Sequence, residues 1–456
     1  MGSIGEGVQY DIDDVNHGQR PPKKGLSKTL SVLQCSDIKL IYRQYNMYGV
    51  MKRVIVAIIA VVVAVAILGS AVFVLGGLSR ERLGVSEVKI GALVPLTGPF
   101  ATYGAYVLDG MRFAVDELNA RGGVLGAKVE LIEADEKNDA KEAVTIFKRM
   151  ATVDRVVAVV GTISSGIGAV LAPEAEEAKV PLFLIAAGSH TILSKNSRFV
   201  FRTCLPPAPT NGELLANFVR DKGYTRVGII IASYEWGYAI KEVLERRLKE
   251  MPNVRYQIEE APLGETDFTT ILRKLQPLDP QLMILTGHPP GFPIIVKQAI
   301  ELGFKSEYYI ASVQPPELML RGVGDIGLGK LVTTTCVNVE SPQYRDLAAK
   351  FYQKFGKYFD HNAVAGYVTV MLIANAVEKT KSVDPVKVAE YIRTTEYNSP
   401  IFAWPLSYTE WGEIKKPSMR LAVIKLGDPG PINPGANWVL ETIYISPPVE
   451  PYVPPK

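Results

Sequence analysis

The stretch that most constrains the fold is Val88–Leu118, which reads VKIGALVPLTGPFATYGAYVLDGMRFAVDEL. Its apolar start, Val88–Val94, has the length and the β-branched content of a buried strand. Two prolines and a glycine then break the chain into a loop, and apolar residues recur beyond it at the three- and four-residue spacing of a helix. The pattern is strand, polar loop, helix. It places the loop at the carboxyl end of the strand, where open α/β sheets bind ligands.

The same alternation of strand and helix repeats along most of the chain. A first series ends at the extended segment Phe199–Cys204, and a second series ends at the Thr-rich segment Leu331–Val339, after which helical patterns return. Strands that alternate with helices predict a parallel sheet covered on both faces. Because the late helices must cover the first half, we expect two α/β lobes that the chain crosses more than once, with a cleft between them.

Composition and missing motifs exclude several classes of function. The chain has 456 residues and a net charge of +3, which gives no case for nucleic-acid binding. No phosphate-binding loop, dinucleotide fingerprint or nucleophile elbow occurs, no cluster of residues suggests a metal, and no cofactor is predicted. The cysteines Cys35, Cys204 and Cys336 do not have zinc-site spacing. Cys204 and Cys336 either pair across two crossing segments or remain two small buried thiols.

The N-terminal part is organised differently from the rest. The segment 54–78 is apolar and uncharged, and its length suffices to cross a bilayer. A buried core helix is a poor alternative because the segment has no polar face. Residues 1–53 are predicted to form a disordered cytoplasmic tail, and Lys39 and Arg43 favour that orientation. The apolar run is longer than that of a usual signal peptide, which favours an uncleaved anchor. The alternative is that synthesis starts at Met51 and that the apolar run after it is an export signal.

Polar loops follow two consecutive predicted strands. Ser164 and Ser165 lie between a buried strand and a helix, and Ala187-Gly188-Ser189 follows the next strand. Backbone N–H groups at a helix start, together with hydroxyl groups, suit a small carboxylate. The alternative for each serine is ordinary helix capping.

Aromatic residues beyond strand ends are a second sign of a ligand site. Tyr103, Trp236 and Phe292 all have this position. The polar surroundings of Trp236 favour a ligand cover, with loop packing as the alternative. His288 has no partner at metal-site spacing, so it is predicted to donate or accept a hydrogen bond.

With these residues in view, the chain resembles the type I periplasmic substrate-binding proteins of the branched-chain amino acid kind. The resemblance covers about Val88–Ile445 and rests on IGALVPLTGPFATYGAYVLDGMRFAVDELNARGGVLG, VELIEADEKNDAKEAV, VVGTISSG, VPLFLIAAGS and GETDFTTILRKLQPLDPQLMILTG. It implies two Rossmann-like lobes joined by a multi-strand hinge, preceded here by one transmembrane helix. The expected division is 87–204 plus 337–415 for lobe 1, 205–336 plus 416–445 for lobe 2, and 446–456 for a Pro-rich tail that cannot fold on its own.

The resemblance also implies where the ligand binds. A ligand carboxylate would be held between the lobes, and an aromatic residue of each lobe would cover it. The positions of this sequence that match are Thr162, Ser164, Ser165, Ala187, Ser189, Tyr103, Trp236 and His288. One departure concerns the acidic residue that amino acid binders use to pair the ligand ammonium. Here Gln314 stands in that loop and Glu317 follows it, so the ligand either lacks an amine or pairs with Glu235.

The resemblance predicts a membrane-anchored, extracytoplasmic solute-binding protein of an ABC importer, with no enzymatic activity. Its partners would be a small-molecule solute, the permease subunits and the membrane. The solute would be a branched-chain amino acid, an amide, a urea or an organic acid. The alternatives are the sensing domain of a membrane receptor and an exported α/β enzyme. Incubation with candidate solutes separates binding from catalysis, because a binding protein returns its ligand unchanged after stoichiometric binding and an enzyme converts it.

Overall fold

A computed structural model describes residues 35–78, 83–286 and 291–455 of the chain. The predicted tail up to residue 34 and the predicted site residue His288 lie outside the described residues. The N-terminal helix and the part from residue 83 onward form separate units and are treated in turn.

The N-terminal unit contains one long helix, α1 (Cys35–Leu78). Residues 35–53 belong to this helix, so the prediction of disorder does not hold for them. Once the apolar segment is helical, each added residue gains a backbone hydrogen bond without a new nucleation step. The part of α1 long and apolar enough to cross a membrane is Asn46–Ala66, which overlaps the predicted segment over residues 54–66.

The first lobe is built on five parallel strands. They are β1 (Glu87–Val94), β2 (Lys128–Asp135), β3 (Ala158–Gly161), β4 (Leu182–Leu184) and β5 (Val200–Arg202). Their order in the sheet is β2-β1-β3-β4-β5. Strands β3, β4 and β5 are buried along their whole length, as expected of a parallel sheet that helices cover on both faces.

Helices from two distant parts of the sequence belong to this lobe. They are α2 (Ala101–Ala120), α3 (Ala140–Arg149), α4 (Ser165–Ala178), α10 (Pro342–Phe355), α11 (His361–Thr380) and α12 (Pro385–Thr394). Helices α2 and α11 approach closely because each has a glycine at the contact. A Cβ on Gly110 would overlap the Ala363 carbonyl, and one on Gly366 would overlap the Val107 carbonyl. The late helices therefore return to the first lobe.

The second lobe is built on seven strands. They are β6 (Arg226–Ala232), β7 (Arg255–Ala261), β8 (Leu282–Thr286), β9 (Tyr308–Ser312), β10 (Leu331–Thr335), β11 (Arg420–Leu426) and β12 (Trp438–Ile445), in the order β12-β11-β10-β9-β8-β6-β7. Strands β11 and β12 are antiparallel additions to a parallel sheet. The helices are α5 (Ala208–Lys222), α6 (Glu235–Lys249), α7 (Thr269–Leu275), α8 (Phe292–Glu301) and α9 (Pro316–Val323).

The chain crosses between the lobes three times: after β5, after β10 and before β11. The prediction of two α/β lobes joined by several crossings is thus confirmed. Cys204 and Cys336 lie on the first two crossings and form a disulfide with a Cα–Cα distance of 5.4 Å. Of the two alternatives for these cysteines, the structure has the paired one.

The C-terminal segment after Ile445 contains no helix or strand within its described part, but it follows the surface of the body. The Val449 N–H donates to the Pro417 carbonyl at 3.1 Å. The Tyr452 ring packs edge-on against the His190 ring at 5.1 Å between centroids. The segment therefore ends beside the loop that follows β4.

Candidate functional site

A cavity of about 40 Å³ lies where the carboxyl ends of the two sheets face each other. Its walls come from the start of α2 and the loops after β3 and β4 in the first lobe, from the first crossing, and from the ends of β6, β8 and β9 in the second lobe. The residues that line it are Phe100, Tyr103, Ile163, Ser164, Ser165, Ala186, Leu205, Tyr234, Trp236, Leu285, Ser312, Val313 and Gln314. The space holds about three water molecules, so the lobes must close less tightly around a larger solute than they do here.

The structure brings most of the predicted site residues together. Five of them line the cavity: Tyr103, Ser164, Ser165, Trp236 and Gln314. Three others, Thr162, Ala187 and Ser189, are buried in the adjoining loops. Phe292 lies in the core as the first residue of α8, and its side chain is not part of the cavity wall.

The loop after β3 presents free hydrogen-bond donors to the cavity. Ser164 is the N-cap of α4 by position, but its side chain makes no capping bond, and the first turn of α4 has no acidic residue. The Ser165 hydroxyl accepts a bond from the Ser189 N–H at 3.1 Å, which ties the two polar loops together. Ordinary side-chain capping therefore does not explain Ser164, and the positive end of α4 is available to an anion.

Two β-branched residues at this edge of the sheets have left-handed backbone conformations. Thr162 follows β3 with φ of 61°, and Val313 follows β9 with φ of 45°. Such a conformation costs of order 1–3 kcal/mol and persists only where the surroundings enforce it. Around Val313, the N–H donates to Thr334 Oγ1 at 3.0 Å, and the His361 ring bonds the carbonyl. Strained backbone at facing strand ends is typical of ligand sites.

Trp236 fills the boundary between the lobes. The side chain is buried, and its Nε1–H donates to Thr286 Oγ1 at 2.9 Å within the second lobe. The ring lies directly on Gly188 of the first lobe, where a Cβ would overlap ring carbons Cζ3 and Cε3. Gly188 is therefore the position at which the first lobe admits the ring.

Carboxylates close both flanks of the cavity. On one side, Glu235 Oε1 accepts from Ser189 Oγ at 2.5 Å and from the Thr191 hydroxyl. On the other side, Glu317 accepts from the Tyr106 hydroxyl and from the Tyr358 N–H. Each bond joins the two lobes, so this arrangement is a closed one.

A buried ion pair supports the loop after β4. Arg202 is fully buried, and its Nε lies 2.9 Å from Glu413 Oε2. Its other nitrogens donate to the carbonyl oxygens of Ala187 and Ser189, the latter at 2.5 Å. Burial raises the pKa of Glu413, and the Arg202 guanidinium opposes that shift. Sequence reasoning missed Arg202; the available signal was a charged residue inside an otherwise apolar strand.

The cavity wall is electrically neutral. Burial raises the pKa of Tyr103 and of Tyr234 above the ordinary value, so both phenols remain protonated. Within the described ranges, no group of three His, Cys, Asp or Glu side chains is arranged to hold a metal ion. The chemistry on offer is hydrogen bonding and aromatic contact.

Two α/β lobes of this topology, crossed three times by the chain and closed over a cavity at their strand ends, define a hinged solute-binding protein. A family profile described as "Periplasmic binding protein" matches residues 87–428. The chain belongs to this family, in the type I branch that includes the branched-chain amino acid binders.

Individual relatives agree with this assignment. The leucine-, isoleucine-, valine-, threonine- and alanine-binding protein of Pseudomonas aeruginosa is 24% identical over 348 residues, which are 76% of this chain and 92% of that protein. The crystal structure of a leucine-binding protein from Thermotoga maritima matches with a TM-score of 0.68 at 25% identity, over 79% of this chain and 99% of that chain. The crystal structure of a solute-binding protein from R. palustris in complex with 4-hydroxybenzoate matches with a TM-score of 0.67 at 21% identity, over 79% of this chain and 97% of that chain.

Proposed function

We propose that this protein is the extracytoplasmic solute-binding component of an ABC importer and that it performs no chemistry on its ligand. The observation that carries the proposal is the cavity between two lobes, to which each lobe contributes both polar and aromatic side chains. Opening of the lobes admits the solute, closure buries it, and the closed form docks on the permease. Helix α1 would anchor the binding domain to the cell membrane with its N-terminus in the cytoplasm.

The lobes would divide as 87–204 plus 337–415 and 205–336 plus 416–445, a division supported by the membership of β1–β5 and β6–β12 in separate sheets. Ser164 and Ser165 would hold a carboxylate of the solute at the start of α4. Tyr103 and Trp236 would cover the solute. Thr162, Ala187 and Ser189 would support the loops, with His288 and Gln314 contributing from the second lobe.

Removing the two hydroxyls is the direct test of solute capture. In the Ser164→Ala/Ser165→Ala variant, we expect affinity to fall about 10- to 100-fold per lost bond to a charged group. The Ser165 change also removes the acceptor of the Ser189 N–H. Native mass spectrometry of the full-length chain identifies the co-purified solute, and calorimetry then compares the affinities.

The matched control is Ser382→Ala, which deletes a hydroxyl that accepts from the Asp384 N–H outside the cavity. It should leave affinity unchanged. A double serine variant that binds the co-purified solute as tightly as the native chain contradicts the proposed site. Release of a chemically altered solute contradicts the proposed function.

Closure has its own test in Gly188→Ala. The new methyl group would overlap the Trp236 ring only when the lobes are closed, because the two residues belong to different lobes. We expect small-angle scattering to report a larger radius of gyration and solute affinity to fall at least about tenfold, since one methyl group blocks the closed form. Gly264→Ala, where no atom lies within 4 Å of the new Cβ, should change neither quantity. Unchanged compaction of the Gly188 variant would refute the closure step.

A further inference from the structure

The charge content of the cavity restricts the class of ligand. Among the described residues that line it, none is Asp, Glu, Lys or Arg. The polar atoms of the wall belong to serine hydroxyls, tyrosine hydroxyls, backbone groups and the Gln314 amide. An amino acid ligand would therefore place its ammonium group against a wall without a facing carboxylate.

The carboxylates closest to the cavity already have partners in the closed form. Glu235 accepts from the hydroxyls of Ser189 and Thr191, and Glu317 accepts from Tyr106 and from the Tyr358 N–H. Asp360 is buried as the N-cap of α11 and accepts the N–H groups of Asn362 and Ala363 at 3.0 and 2.9 Å. An ammonium group that recruited any of them would compete with bonds that join the lobes or cap a helix.

The helix N-termini at the cavity also disfavour an ammonium group. The N-terminal turns of α2 and α4 contain no acidic residue, and neither N-cap residue, Phe100 or Ser164, makes a side-chain capping bond. Both N-caps line the cavity, so two positive helix ends remain uncompensated there. The electrostatic potential of these helix ends favours a negatively charged ligand group and disfavours a positively charged one.

We propose that the cavity selects a small carboxylic acid that carries no amine, and that Gln314 is the residue that sets this preference. The inference rests on the proposed function and specifies its ligand. The carboxylate binds at the start of α4, and the remainder of the ligand contacts the aromatic wall formed by Phe100, Tyr103, Tyr234 and Trp236. A carboxylate in place of the Gln314 amide would give an ammonium group the counter-charge that the wall lacks.

Matched pairs of ligands test the proposal on the native chain. Isocaproate differs from leucine, and hydrocinnamate from phenylalanine, only by the missing amine. Calorimetry on the full-length protein in detergent should give at least about tenfold tighter binding for the acid of a pair, because only the amino acid buries an unpaired cation. Equal or tighter binding of the amino acid overturns the ligand class and leaves solute capture standing.

Gln314→Glu should shift the preference toward leucine, raising leucine affinity relative to isocaproate at least about tenfold over the native ratio. The control Gln343→Glu makes the same change on an exposed part of α10 and should leave the ratio as in the native chain. An unchanged ratio in the Gln314 variant overturns its role in selection. If the Gln314 variant does not fold, the comparison of acid with amino acid on the native chain still decides the ligand class. If none of the four compounds binds the native chain, the proposed ligand class is wrong. Failure of the proposed function would instead appear as absence of any co-purified solute and of closure.

Discussion

Replacement of Arg202 by methionine should lower the free energy of unfolding of the two-lobed part by about 3–5 kcal/mol, because Glu413 would be left as a buried carboxylate without its partner. Arg202 is fully buried, and its guanidinium bonds Glu413 and the carbonyls of Ala187 and Ser189. The same variant should weaken solute binding, since those carbonyls belong to the loop that meets Trp236.

The loss of unfolding free energy in the Arg202→Met variant should become smaller as the pH falls. The folded-state pKa of Glu413 lies above its ordinary value because of burial, and removal of Arg202 raises it further. A folded pKa above the unfolded one means that the folded state holds the proton more strongly, so protonation favours folding as the pH falls. Guanidinium unfolding should therefore show a smaller deficit at about pH 5 than at about pH 8.

Two further variants separate this ion pair from a general effect of lost charge. Arg202→Met/Glu413→Gln should recover part of the deficit, because no buried charge remains. Asp346→Asn breaks an exposed pair, Lys350–Asp346 at 2.8 Å, and should change stability by less than about 1 kcal/mol. A single Arg202 variant as stable as this control would show that the buried pair does not support the fold.

The sequence predicts the two-lobed fold well because the fold depends on local periodicity. Apolar runs such as Val88–Val94 and the repeated loop at the strand end are visible in a single chain, and strand β1 extends over Glu87–Val94. Disorder was predicted for residues 35–53 from composition. Amino-acid composition indicates whether a segment can form a hydrophobic core. Residues 35–53 need no core of their own to be helical, because they extend the helix of the adjoining apolar segment.

The candidate site is predictable to the extent that it follows the strand-end rule. Ser164, Ser165 and Trp236 were found because polar and aromatic residues stand out in loops. Leu205 also lines the cavity, but an apolar residue beside a proline has no distinctive pattern. Tyr234 lies in the same loop as Trp236, and the rule that identifies Trp236 applies to it as well. Glu413 pairs with Arg202 across 211 positions, a contact that depends on the return of the chain to the first lobe after β10.

The disulfide provides the second large effect. Cys204 and Cys336 are 132 positions apart, so reduction releases a long loop in the unfolded chain. The chain-entropy treatment gives about 5 kcal/mol for such a loop, and measured losses for native disulfides are about 2–5 kcal/mol. We expect the Cys204→Ser/Cys336→Ser variant to lose stability in this range, because its unfolded state is no longer constrained.

The loss should appear as a lower guanidinium midpoint for the double variant and for the reduced native chain, with similar values for the two. Cys35→Ser is the matched control, since that residue lies in α1 and the pair does not include it. It should leave the midpoint unchanged and still respond to reductant. Thiol titration of the denatured, unreduced chain should detect one thiol of the three cysteines. Three free thiols in the full-length, unreduced chain would contradict the pairing, and a midpoint insensitive to reductant would show that the two crossings are held together by packing alone.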